Sequence, residues 1–248
     1  MALTGKLALV TGGSRGVGAA TVELLARAGA DVVVNYRNKA ARAEHAAETA
    51  RALGVRAWAI QADITAEADV RTMLASLERL DVLVLNASGG MEKELVAANP
   101  GYPMAVNRDA PLRLVEVARA KLGRGSVVVH VTSHLAHFYG RVEQIPEYEP
   151  VAESKHAGEA ALLALAPELA RDGIRLAVVS GDLIEDTIVP RLMERARPGL
   201  IGTRRAQAGT LPTTRDMAEA IVRVAEDDAL PTGHVVYVGD PATVELTR

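Results

Sequence analysis

The segment Thr11-Gly12-Gly13-Ser14-Arg15-Gly16-Val17-Gly18 constrains this chain more than any other. It follows an apolar run, Leu7 to Thr11, and leads into Val17 to Ala28, a stretch of helical composition. A strand that meets a helix through a glycine-rich turn opens a βαβ unit. Glycine lets the backbone approach a ligand closely, and the helix N-terminus adds unpaired N–H groups and the positive end of its dipole. Such a turn suits a pyrophosphate, and its place at the head of an alternating pattern separates it from an ordinary tight turn. Gly12, Ser14, Arg15, Gly16, Val17 and Gly18 are candidate binding residues.

The pattern that follows is strand and helix in alternation. Asp31 to Tyr36, Val55 to Gln61, Asp81 to Leu85, Ser126 to Thr132, Ile174 to Ser180 and His234 to Val238 read as further buried strands. Helical composition falls at Lys39 to Leu53, Glu67 to Arg79, Met104 to Leu122 and Val151 to Arg171. Near-continuous apolar strands separated by helices imply a parallel sheet covered on both faces. The fold class expected is α/β, a single doubly wound Rossmann domain over residues 1–248, with about seven strands and helices on both faces. The stretch 186–214, with Pro190, Pro198 and Pro212, reads as an irregular flap over a site.

Composition sets the outer limits. The 248 residues suffice for one well-buried domain, and 49% hydrophobic with 24% charged residues is ordinary for a globular protein. A net charge of −3 gives no reason to expect a nucleic-acid or membrane partner. With no cysteine there is no disulfide and no thiolate chemistry. The N-terminal residues lack the pattern of a signal peptide, and no apolar run approaches the roughly 20 residues of a membrane span, so a cytoplasmic location is expected.

The second strand addresses cofactor choice. A ribose 2′-hydroxyl is held by an acidic residue about 20 residues past the glycines, whereas a 2′-phosphate calls for arginine. Asn35, Tyr36 and Arg37 stand there, and Arg15 lies inside the glycine turn. Two arginines and no carboxylate favour NADP(H). The charged helix Lys39 to Arg51 reads as a solvated face.

The order of these motifs resembles the short-chain dehydrogenase/reductase family over almost the full chain. Asp63-Ile64 resembles the pair that contacts the adenine, and Asn86-Ala87-Ser88-Gly89 resembles the family's NNAG motif with Leu85 replacing its first asparagine. Asn107 falls where the family keeps a helix asparagine that serves a proton relay, and Ser133 where it keeps a substrate-orienting serine. Thr232-Gly233-His234 resembles the closing segment. The resemblance implies hydride transfer with a nicotinamide cofactor at the carboxyl ends of the strands. It also implies Ile184 against the carboxamide, a small-molecule substrate, free or held as a carrier thioester, and a homodimer or homotetramer.

The chain departs from the family at the proton donor. The common form is tyrosine, three residues, lysine, but the position four before Lys155 is Val151. Tyr148 lies seven before it, a spacing similar to that of the enoyl-acyl-carrier-protein reductases. On a helix Tyr148, Val151 and Lys155 would share one stripe, with the phenol displaced by about 4.5 Å. Pro150 predicts an extended Glu149 and a Tyr148 just outside the helix. The loop from Ser133 to Tyr148 is long for the family, and Ser180-Gly181-Asp182 replaces its usual proline-glycine.

These readings assign Tyr148 as acid, Lys155 as the ammonium that lowers its pKa and holds the nicotinamide ribose, Ser133 as the orienting hydroxyl and Asn107 as anchor of a water chain to Lys155. His130, His134 and His137 cluster around Ser133 without a further ligand, so no metal is expected. His130 reads as a hydrogen-bonded core residue, and His134 or His137 as substitute acids. The arginines 191, 195, 197, 204 and 205 read as a basic surface or as contacts for an anionic substrate. The function expected is an NADPH-dependent reductase of a carbonyl or activated alkene. A dinucleotide-binding sensor and a dehydration or epimerisation enzyme are the alternatives.

Overall fold

The computed structural model describes residues 1–243. The first half alternates β1 (Leu7–Val10), α1 (Gly16–Arg27), β2 (Asp31–Tyr36), α2 (Ala40–Arg51), β3 (Ala57–Gln61), α3 (Glu67–Ala75) and β4 (Leu80–Leu85). Two short helices, α4 (Lys93–Ala98) and α5 (Tyr102–Met104), lead through a π-helical turn (Ala105–Asp109) into α6 (Ala110–Ala118). Then come β5 (Leu122–Ser133), α7 (His134–His137), α8 (Glu149–Arg171) and β6 (Arg175–Gly181). The chain continues through α9 (Ile188–Ala196), α10 (Leu200–Ala208), α11 (Thr214–Glu226) and β7 (His234–Val238). The seven strands form one sheet in the order β3-β2-β1-β4-β5-β6-β7, and every pairing is parallel.

Alternate residues of each strand feed two cores, as the two-residue period of a strand requires. Val10, Val34, Val84, Val129 and Val179 face α1, α2 and α11, where Val22, Leu25, Ala43, Ala47 and Ile221 are buried. Leu9, Val33, Leu83, Val128 and Leu176 face α3, α6 and α8, meeting Leu74, Leu114 and Leu162. Burial of each such aliphatic side chain contributes about 1.5–3 kcal/mol. Small residues bring the alanine-rich α1 and α2 close to the sheet. No described helix is long and apolar enough to cross a membrane.

The stretch expected to be irregular is in fact helical. Pro190 sits in the first turn of α9, where a proline has no helical hydrogen bond to lose. Pro198 and Gly199 break the two helices, and the Glu194 carboxylate accepts from the Gly199 N–H (2.7 Å) and the Ile201 N–H (2.9 Å), capping α10. The helix α11 has a capping box, in which Thr213 accepts from the Asp216 N–H and Asp216 from the Thr213 N–H. Glu149 is likewise not extended: it is the first residue of α8, with Tyr148 as N-cap. The carbonyl of Ile145 accepts from the N–H groups of Tyr148 (2.8 Å) and Glu149 (2.9 Å), which winds the chain into the helix ahead of Pro150.

Two features of this frame stand out: a close helix contact and an unpartnered buried ring. The π turn brings the Asn107 carbonyl against α8 at Gly158, where an added Cβ would lie 2.1 Å from that oxygen. His130 is buried in β5, 3% exposed, but neither ring nitrogen has a hydrogen-bond partner, contrary to the bonded core residue expected. Burial, aided by the charge of Lys155, pushes its pKa down to about 3.

Gly158→Ala is expected to cost about 1–3 kcal/mol, the range for overpacking, because α8 must move off the π turn; a chemical denaturation midpoint checks it. For His130 the sign follows from proton uptake. The unfolded chain binds a proton below about 6.5 and the folded chain only near 3, so stability is lost as pH falls through this window. From pH 7 to pH 5 the loss from this group is about 2 kcal/mol. Urea unfolding of the parent protein and His130→Leu at both pH values is expected to show that loss shrinking in the variant.

Candidate active site

The glycine turn is held by polar anchors from β4. The Thr11 hydroxyl donates to the Val84 carbonyl (3.1 Å) and accepts from the N–H groups of Asn86 (3.0 Å) and Ala87 (3.1 Å). The Asn86 amide donates back to the Thr11 carbonyl (2.9 Å), so its side chain braces the turn from the cleft wall. Gly18 packs so tightly on the turn that a Cβ there would lie 2.4 Å from the Gly12 oxygen. The first turn of α1 carries no side-chain cap, which leaves its N–H groups facing the opening.

A cleft of about 1380 Å³ runs from this turn across the carboxyl ends of the strands. Gly12, Ser14, Arg15, Gly16, Val17 and Gly18 line its phosphate end, with Asn86 and Ala87 beside them. Tyr36, Arg37, Asp63 and Ile64 line the next part. Arg37 donates to the Tyr102 hydroxyl (2.6 Å), and its guanidinium lies 5.9 Å from that ring's centroid. Asp63 is tied to its own loop, accepting from the Thr65 N–H (2.9 Å) and hydroxyl (2.7 Å). Lys39 and Arg42, read from sequence as part of a solvated face, form the outer wall here with Arg15. Among the described residues no ion pair involves any of these three. The wall is therefore a patch of uncompensated positive charge. The signal for it was the i, i+3 spacing of Lys39 and Arg42 at the start of α2.

Further along stand the hydroxyls. Ser133 ends β5 and caps α7, accepting from the Ala136 N–H (3.3 Å), and its oxygen lies 3.2 Å from the Tyr148 phenol. The cap fixes the rotamer in which the Ser133 hydroxyl meets the phenol. Tyr148 packs with Val151, Ala152 and Met193. Burial pushes its pKa up, and the bond with Ser133 opposes this, so the net direction is opposite to the lowering expected from sequence. Lys155, two turns into α8 and 8% exposed, also lines the cleft. Burial pushes its pKa down to about 8, against the pull of Glu159.

Asn107 stands behind this group and is not on the cleft wall. Its amide donates to the Gly89 carbonyl (2.8 Å) and the Ser154 hydroxyl (2.9 Å), and its oxygen accepts from the Gly89 N–H (3.3 Å). The side chain binds the Asn86–Gly89 loop to α8 instead of reaching toward Lys155. The π turn positions it, in keeping with the frequent place of such turns at functional sites.

The far end of the cleft is apolar, walled by Met91, Leu135, Ile145, Leu183, Val189 and Met193. Arg204 forms a two-pronged pair with Asp182 (2.9 and 2.7 Å), which closes α10 against the end of β6. Arg197 and Arg204 reach the cleft, and Arg205 pairs with Glu185 outside it. Ile184 lines the cleft, its carbonyl accepting from the Thr187 N–H (3.1 Å) and hydroxyl (2.9 Å).

Known proteins resemble the chain along this whole arrangement. Residues 6–195 match the family model described as short chain dehydrogenase. An uncharacterized oxidoreductase of Methylorubrum extorquens is 32% identical over 251 residues, covering 94% of this chain and 96% of that protein. A short chain dehydrogenase from Burkholderia cenocepacia, solved in complex with NADP, superposes with a TM-score of 0.81 at 32% identity, covering 96% and 98% of the two chains. The angucycline C-6 ketoreductase LanV, solved with bound NADP, gives 0.80 at 29% identity and covers 95% and 94%. With the seven-stranded parallel sheet, the glycine turn and the lined cleft all in agreement, the chain belongs to the short-chain dehydrogenase family of oxidoreductases.

Proposed function

We propose that this protein is an NADP(H)-dependent reductase that acts on a ketone of a largely apolar substrate, within a single domain whose segment 186–214 covers the substrate. The observation that carries the reading is the pair of hydroxyls, Ser133 and Tyr148, 3.2 Å apart on the cleft wall. Two such groups can share one carbonyl oxygen, which suits an oxyanion better than an alkene carbon. The ketone substrate named for the angucycline ketoreductase supports the same choice.

The residues present fit the dinucleotide. The uncapped N-terminus of α1 and the close backbone at Gly12 and Gly18 receive a pyrophosphate, and Arg15, Arg37 and Arg42 offer forked donors to a 2′-phosphate. The NADP bound in the two solved relatives supports this assignment. Asp63 and Ile64 would border the adenine, Asn86 and Ala87 would lie along the dinucleotide's path, and Ile184 would meet the carboxamide. When bound, the reduced nicotinamide supplies a hydride to the carbonyl carbon.

The chain's own groups manage the oxygen. Ser133 orients it through a hydrogen bond, and the Tyr148 phenol gives it a proton as negative charge develops. Burial favours the neutral phenol, the form that can donate. Lys155 holds the ribose and presents an ammonium to the phenolate left behind. The apolar end excludes water and so strengthens each of these interactions. Asn107 keeps the Asn86–Gly89 loop and α8 in register.

An assay of NADPH oxidation with fused-ring ketones and an enoyl thioester tests the reading. Tyr148→Phe is expected to lower turnover of a ketone by about 10²–10⁴-fold, the range for general acid catalysis, with NADPH affinity by fluorescence titration nearly unchanged. Unchanged turnover, or turnover of the thioester alone, would overturn the assignment. For cofactor choice, Arg42→Ala is expected to weaken NADPH about tenfold or more while leaving NADH alone, since a charge-assisted hydrogen bond contributes about 1.5–3 kcal/mol. Calorimetric titration with both dinucleotides checks it.

A further inference from the structure

Behind Lys155 a second set of polar groups crosses the protein. Glu159 lies one turn further along α8 and is only 4% exposed. One of its carboxylate oxygens is 2.5 Å from His137 Nδ1, on α7, while the other is buried without a hydrogen-bond partner. The second nitrogen of His137 lies 2.9 Å from the Tyr237 hydroxyl, on β7, and Tyr237 is 39% exposed. Two consecutive helices and the last strand thus converge to fix one carboxylate. A buried carboxylate with an unpartnered oxygen is costly unless a positive charge is near. Lys155, at i−4 on the same helix face, brings a positive charge to the same side of α8; among the described residues the two groups form no direct ion pair, but the carboxylate pulls the lysine's titration upward through space.

We propose that Glu159 is a positioning residue for Lys155, its carboxylate clamped by His137 and Tyr237 so that it keeps the lysine charged. The inference rests on the proposed use of the Lys155 ammonium beside Tyr148. Burial keeps the Tyr237 phenol protonated, so it donates to His137 Nε2, and Nδ1–H then donates to Glu159. The other titratable groups around Lys155 supply no negative charge. From β5 His130 is neutral, and from the N-cap of α8 Tyr148 is held neutral by burial. His134 of α7 turns to Ser180 (2.9 Å), and the Asp182 carboxylate at the end of β6 is taken by Arg204. Glu159 is therefore the counter-charge that sets the lysine's titration.

The test reads the lysine directly. The protein is labelled with ¹³C-lysine, the Lys155 signal is assigned with Lys155→Arg, and its midpoint is followed by NMR from pH 6 to 11. In Glu159→Gln the midpoint is expected to fall by about one unit, at the lower end of what a nearby opposite charge does, and Glu159→Asp is expected to restore most of it. The alkaline limb of kcat for ketone reduction should move down in parallel. If Glu159→Gln fails to fold, Glu159→Gln/His137→Gln keeps a neutral hydrogen-bonded pair and serves in its place. A midpoint unchanged in the folded variant means that Glu159 only pins α7 to α8, and the proposal is wrong. Because the NMR midpoint needs no substrate, a protein that reduces no ketone yet shows the shift overturns the functional reading alone.

Discussion

The parallel sheet, with its order reversing at β1, is the constraint from which the rest follows. Because β1 lies between β2 and β4, the chain leaves these strands toward opposite faces and a crevice opens at their carboxyl ends. An all-parallel sheet also sends every strand's exit to the same edge. The glycine turn after β1, the Asn86–Gly89 loop after β4, Ser133 at the end of β5 and Asp182 after β6 therefore meet without any long-range design of the loops themselves. What the loops add is bracing, such as the Thr11 and Asn86 bonds that couple the turn after β1 to the loop after β4.

The region between β5 and α8 is costly. It buries Lys155, Glu159 and His130, and several of their polar atoms lack partners. A core chosen for stability alone would hold aliphatic side chains there, as the same helix does at Leu162 and Leu169. Polar groups buried at the expense of stability are the mark of a site. Lys155 lines the cleft, and that ties the cost to it.

Legibility in the sequence followed burial. The strands were readable because both faces are covered, so that Val32 to Val34 or Leu83 to Leu85 appear as unbroken apolar runs. The glycine turn, Ser133, Tyr148 and Lys155 were readable because each sits at a fixed offset from such a run. Thr213 and Asp216 carry a readable capping signal for α11, masked by the prolines before it. Pro190 reads in isolation as a breaker yet occupies a first turn, and Pro150 as a reason for extension although the Ile145 carbonyl winds the chain ahead of it. The bonds from Arg37 to Tyr102 and from His137 to Glu159 and Tyr237 join residues 65, 22 and 100 positions apart. No local spacing encodes such contacts, so they emerge only from the packing.

The hairpin of α9 and α10 is tied to the body by Arg204, within α10, on Asp182 and, just ahead of α9, by Asp186 accepting from Thr214, while its inner surface faces the apolar part of the cleft. Among the described residues it adds no strand to the sheet, and the bonds that brace the glycine turn come from the end of β4 instead. Outside Met193, which packs on Tyr148, and Arg204, which closes on Asp182, selection can thus rewrite this block with little penalty to dinucleotide capture. It is where descendants of this protein would diverge in the molecules they accept while their hydride machinery stayed the same.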